Sequence, residues 1–179
     1  MKNLSSLISP SKALNRPLNR QIHDNSAINS QEKEVVIRQL GFQIGNLGLL
    51  IGARTTSELI ELLVMCPIPF TVAWLLGLIN LRGNLVPIFD LHQLLSIETN
   101  TSNKRMLLIL GQGESAGGIV IEALPVHLTF TSKDKLTSLP PLPAVLAPYV
   151  SQGYEKGEQV WFNFDHLGFF ESIATKIVA

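Results

Sequence analysis

The sequence predicts a mainly β protein built as two small antiparallel barrels with a few short helices. From Val35 onwards, short apolar runs alternate with Gly, Pro and Asn, the punctuation of strands and tight turns. The order strand, polar turn, strand and Asp-capped helix occurs twice, at 78–96 and near 149–173. Strands this short would expose unpaired edges in an open sheet, and closure into barrels removes those edges. A chain of 179 residues with 46% in the apolar set can bury a sizeable core in one domain or two closely joined halves.

Residues 1–34 stand apart. They are rich in Ser, Asn and charge, with Pro10 and Pro17 interrupting any helix, and read as a disordered polar leader to a domain over 35–179. Lys2, Lys12, Arg16 and Arg20 precede the first acid, Asp24, a bias shared with targeting peptides. Leu4, Leu7, Ile8, Leu14 and Leu18 make no sustained amphipathic stripe, however, and no compact apolar segment is present, so a solvated tail is the preferred reading.

Within the domain, Phe42-Gln-Ile and Leu49-Leu-Ile flank Gly45-Asn-Leu-Gly48, a spacing suited to a hairpin. Residues 55–65 read as a strand, with a short Thr- or Ser-capped helix as the alternative before Cys-Pro-Ile-Pro stops it. The stretch 74–91 reads as two strands meeting at Arg82-Gly83-Asn84. Pro87, which cannot donate to a ladder, points to a bulge or edge position there. Asp90 is the expected N-cap of a short helix, followed by a polar loop at 98–104 between two similar halves. Met106–Leu110 and Gly118–Ile121 predict a second hairpin, 131–148 is a proline-rich connection, and Val160–Phe164 is a further strand.

Charge and composition exclude several classes of function. Fourteen basic residues balance fourteen acidic ones, so no overall field draws the chain to nucleic acid or an anionic membrane. Around Trp161 and Phe162 the only nearby base, Lys156, is opposed by Glu155 and Glu158, which makes these aromatics core or interface residues rather than base-stacking platforms. No apolar run approaches the roughly 20 residues of a membrane span, since Pro67, Pro69, Arg82 and Pro87 interrupt the most hydrophobic region. Direct membrane insertion is therefore not expected. Cys66 is the only cysteine; it is expected as a small buried apolar residue in a reducing, cytoplasmic setting.

The chemistry-bearing residues form no catalytic pattern. His23, His92, His127 and His166 are scattered beyond metal-ligand spacing, and neither a nucleophile elbow nor a phosphate-cradling glycine loop occurs. Ser115 reads as a turn residue, and Glu58 and Glu61, three apart and able to share a helix face, as solvated carboxylates. No enzyme activity, cofactor or metal is expected. What remains is Arg82, a charge in a strongly apolar stretch. It is either a solvated turn residue or a guanidinium presented beside exposed apolar side chains, the composition of a protein-binding hot spot.

The run Gly77-Leu-Ile-Asn-Leu-Arg-Gly-Asn-Leu-Val-Pro-Ile-Phe-Asp-Leu91 closely resembles the signature of the CheW domain, a family that includes PilI-like members. The resemblance extends over about residues 35–175. Phe42-Gln-Ile-Gly, Thr56-Ser-Glu-Leu59, Gly118-Ile-Val-Ile-Glu-Ala-Leu124 and Tyr149 through Leu167 are similar to its other stretches, with Val72 at a position where proline is common and Glu122 where aspartate is usual. It implies two SH3-like barrel lobes and a cytoplasmic, non-enzymatic adaptor recruited to membrane-bound receptor arrays. The implied partners are a methyl-accepting chemoreceptor and the regulatory domain of a CheA-type histidine kinase, and the output is chemotaxis or type IV pilus-dependent motility. A regulatory scaffold in another complex, without receptor coupling, is the alternative. Carried onto this sequence, the receptor-contact element falls on Gly77, Asn80, Arg82 and Gly83, with Thr56 and Glu58 alongside; the kinase-binding surface is implied near the junction of the lobes.

Overall fold

The computed structural model describes residues 36–98 and 105–177. The leader at 1–34, and the polar loop beyond Glu98, lie outside these residues. Ten strands follow in order: β1 (Ile37–Ile44), β2 (Leu47–Ile51), β3 (Ser57–Glu61), β4 (Leu75–Leu81), β5 (Asn84–Phe89), β6 (Met106–Leu110), β7 (Gly117–Ile121), β8 (Val126–Phe130), β9 (Val150–Lys156) and β10 (Gln159–Phe164). Helix α1 (Leu91–Leu95) follows β5, and α2 (His166–Thr175) follows β10.

The strands make two five-stranded sheets, ordered β8-β1-β2-β10-β9 and β3-β6-β7-β5-β4. Adding five to each strand number of the second order, and subtracting ten where the sum passes ten, reproduces the first. The chain is therefore two topologically equivalent halves, β1–β5 with α1 and β6–β10 with α2. The local hydrogen bonding repeats as well. Asp90 N donates to Trp74 O at 2.8 Å, and Asp165 N to Tyr149 O at 2.8 Å. Asp90 caps α1 through His92 N and Gln93 N, while Asp165 accepts from Gly168 N in α2, because a side-chain oxygen satisfies the N–H groups a helix start leaves open.

The halves are not the lobes. The first hairpin, β1–β2, joins β8–β10 from the second half, and β6–β7 joins β3–β5 from the first. Hydrophobic periodicity marks each strand but not its partner across the chain, so sequence reading finds the repeat and misses the exchange. The exchange also breaks the expected antiparallel pattern, since β2–β10 and β5–β7 run parallel. A short turn forces its own two strands antiparallel, but these pairs belong to different hairpins and no turn constrains their direction.

Further expectations are corrected. Residues 57–61 are a strand, so Glu58 and Glu61, three apart, point to opposite faces rather than sharing one. Pro87 occupies neither a bulge nor an edge. Strand β5 lies between β7 and β4, the bulge is on β4 between Leu75 and Gly77, and the ladder to β7 begins one residue after the proline, at Ile88. Cys66 is exposed, because its main chain pairs with Leu78 along the free edge of β4 and its side chain is left outside.

One core runs through both sheets. It joins Phe42, Leu49, Phe162 and Phe164 of one sheet to Leu75, Phe89, Leu108 and Ile119 of the other, with Phe169 and Ile173 of α2 packed among them. Phe42 meets Phe164 edge-on at 6.3 Å between ring centroids, and Phe89 lies 5.3 Å from Phe170. Trp161 is buried as well, closing a smaller cluster with Leu50, Phe130 and Tyr154. Each ring removed from water stabilises the fold by roughly 2–3 kcal/mol before ordering costs.

Candidate functional site

The sheet ordered β3-β6-β7-β5-β4 has β3 and β4 as its two end strands. Its curl brings the β4–β5 turn back over β3, where the Arg82 guanidinium grips the Glu58 carboxylate in a two-pronged pair. Nη1 donates to Oε2 and Nη2 to Oε1, both at 2.7 Å. A planar fork matched to a carboxylate fixes direction as well as distance. The Arg82 side chain is 72% exposed and that of Glu58 33%, so the pair is presented at the surface rather than enclosed. The hydrogen bond from Arg82, helped by its charge and opposed by partial desolvation, holds the Glu58 carboxyl below the usual carboxylate range.

Local backbone chemistry sets this turn. Arg82 itself adopts φ +53°, unusual for a residue with a side chain, and Gly83 follows at φ +89°. Asn80 Oδ1 accepts from Gly83 N at 2.9 Å and pins the loop. Beside the ion pair lies a recess of about 280 Å³ walled by Thr56, Glu58, Leu81, Arg82, Asn84, Val86, Ile109, Gly111, Gln112, Gly113 and Ala116. Thr56 is at its rim, its carbonyl accepting from Gly111 N at 2.9 Å.

The structure thus brings together Thr56, Glu58 and Arg82 around one recess, with Asn80 and Gly83 shaping the turn that carries the arginine. Gly77 is not among them. It lies five residues back along β4, about 16 Å at strand rise, buried at the bulge. A Cβ on Gly77 would stand 2.4 Å from Cys66 O, and the residue has φ +143°. Its role in the described structure is the close approach of two backbones.

Sequence reading missed two features. The first is the exposed, uncharged crossing from β3 to β4, where Leu62, Leu63, Val64 and Phe70 face solvent and Phe70 sits at φ +58°. Placing a non-glycine residue there costs about 1–2 kcal/mol, and a full phenyl ring is left in water besides. The absence of any charge from Leu62 to Trp74 was the available signal. The second is a polar cluster at the base of α1. Arg105 Nη2 donates to Asp90 Oδ2 at 2.8 Å, while the buried His92 ring has Nδ1 3.8 Å from Asp90 Oδ1 and Nε2 3.9 Å from Glu122 Oε2, beyond hydrogen-bond reach. Arg105 and Glu122 reach Asp90 and His92 of α1 from the ends of β6 and β7, so no local spacing announces the cluster.

Ser115 is a turn residue, its Oγ donating to Gln112 O at 3.0 Å. Among the described residues no three His, Cys, Asp or Glu gather as a metal site, and no helix is long and apolar enough to cross a membrane.

Two five-stranded sheets offering a charged turn, a recess and an exposed apolar crossing define a protein-binding module. The CheW-like domain model matches residues 38–174, and the chain belongs to that family, whose members serve as adaptors in chemotaxis or pilus signalling. The chemotaxis protein CheW of Helicobacter pylori is 26% identical over 141 residues, covering 78% of this chain and 83% of that protein. Protein PilI of Pseudomonas aeruginosa is 26% identical over 139 residues, 74% of this chain and 78% of its own length. The crystal structure of the scaffolding protein TtCheW from Thermoanaerobacter tengcongensis shares the fold, with a TM-score of 0.60 at 17% identity over 75% of this chain and 88% of that one.

Proposed function

We propose that this protein is a non-enzymatic adaptor that holds the signalling tip of a methyl-accepting chemoreceptor against the regulatory domain of a CheA-type histidine kinase, with its adaptor domain spanning 35–179. The observation that carries the reading is the forked Glu58–Arg82 pair at the mouth of the recess. An ion pair this exposed contributes little to folding, so its fixed geometry is better explained by what it presents to a partner. In this reading Thr56, Glu58 and Arg82 contact the receptor directly, Asn80 and Gly83 set the turn that presents the arginine, and Gly77 keeps the Cys66 backbone close against β4. The exposed crossing with Leu63, Val64 and Phe70 supplies the apolar contact that a protein interface requires alongside its charged rim. The adaptor works in the cytoplasm and reaches the membrane only through the receptor.

The test is co-sedimentation of the full chain with receptor-bearing vesicles and a CheA-type kinase from the same source. Arg82→Glu should lose the receptor while retaining the kinase. Full binding of both by the variant would remove the pair from the receptor site. Failure of the folded wild-type chain to bind the receptor would favour the scaffold without receptor coupling.

A further inference from the structure

The exchange of hairpins between the two halves has a consequence for how copies of this chain can meet. Four ladders join one half to the other: β1–β8, β2–β10, β3–β6 and β5–β7. The buried rings Phe42 and Phe164, and likewise Phe89 and Phe170, also meet across the divide, as do Arg105 and Asp90. Neither half alone completes a barrel, because each sheet takes two strands from one and three from the other. The first half ends with α1 at Leu95 and the second begins with β6 at Met106, so a single covalent link joins them.

We infer that a second copy of this chain can supply the complementary half, giving a reciprocal dimer in which each two-lobed unit is built from β1–β5 and α1 of one chain and β6–β10 and α2 of the other. Every ladder and every core contact of the single chain is re-formed in such a pair. With these contacts shared by the two states, the entropy of association sets them apart, and concentration during folding decides between them. The recess at Arg82 then has a composite wall, with Thr56, Glu58 and Arg82 from one chain and Ile109, Gly111 and Gln112 from its partner.

Arg38 and Thr129 are exposed partners on β1 and β8, at a cross-strand spacing that accepts a disulfide. The full chain carrying Cys66→Ser, Arg38→Cys and Thr129→Cys is unfolded in reductant, refolded at low and at high protein concentration, and oxidised. Size-exclusion chromatography with light scattering and a non-reducing denaturing gel then report mass and linkage. The expected result is a single-chain species at low concentration and, at high concentration, a species of doubled mass whose chains stay covalently joined on the gel. A dimer whose disulfides all lie within chains, or no dimer at any concentration, overturns the inference. Should the triple variant not fold, two differently tagged wild-type copies are used instead. Mixed dimers that form after joint refolding, and not on mixing the folded proteins, support exchange. Mixed dimers in both cases, or in neither, overturn it.

Discussion

Replacing Gly77 with alanine sets backbone geometry against a single methyl group. The new Cβ would lie 2.4 Å from Cys66 O, 2.9 Å from Cys66 C and 3.2 Å from Pro67 Cα, all main-chain atoms that cannot swing aside as a side chain would. The residue also holds φ +143°, where a side chain adds strain of about 1–2 kcal/mol. Relieving the clash pushes Cys66 away from β4 and breaks the bonds Cys66 N to Leu78 O and Leu78 N to Cys66 O, both 2.9 Å, each contributing about 1 kcal/mol. The sum is about 3–4 kcal/mol, which for a domain of this size lowers the melting temperature by something on the order of 10 °C. Gly83→Ala is the control. Nothing lies within 4 Å of its Cβ, so only the strain of φ +89° remains and the drop should be about 2–4 °C. Thermal unfolding of the two variants, followed by circular dichroism, checks both values. Equal, small shifts would refute the assignment of Gly77 to a tight backbone crossing.

Asp90→Ala removes the cap of α1 and leaves Arg105 without its carboxylate, so a loss of about 2–4 kcal/mol is expected in urea titrations. Phe89→Ala opens a void where both sheets meet and should cost about 3–5 kcal/mol in the same assay. Burial against Phe170 pushes the His166 imidazole below its usual value of 6.5, with Asp165 opposing. The unfolded chain therefore binds the proton first, and stability present above about pH 6.5 falls as pH drops through the lowered value. In His166→Gln, melting temperature plotted against pH should lose that step. Glu58 is also lowered, so its pair with Arg82 persists above the ordinary carboxylate value of 4.5 and is lost only on further acidification through the depressed one. Glu58→Gln should weaken receptor binding at neutral pH while leaving the melting temperature close to that of the wild type.

Local patterns in the sequence carried much of this architecture. Gly45-Asn46 and Arg82-Gly83 mark turns because few residues tolerate positive φ, and Asp90 and Asp165 mark helix starts because a short carboxylate reaches the first free N–H groups. Such signals act over three or four residues. The pairing of β1 with β8 and β2 with β10 spans most of the chain and rests on shape-matched apolar faces that hydrophobicity alone does not distinguish. For the same reason Arg82 was visible as an odd charge in an apolar run, while its grip on Glu58 depended on sheet curl. Gly77 belonged to the same signature, and its tight approach to Cys66 becomes apparent only when the crossing segment is laid along β4.

The adaptor account is tested most directly by the activity of a CheA-type kinase reconstituted with receptor-bearing vesicles, with and without this protein. Receptor-dependent stimulation by the wild-type chain, abolished by Arg82→Glu while that variant remains folded and kinase-bound, is the predicted result. Kinase activity that stays at its receptor-independent level whether or not the folded wild-type protein is present would contradict the account.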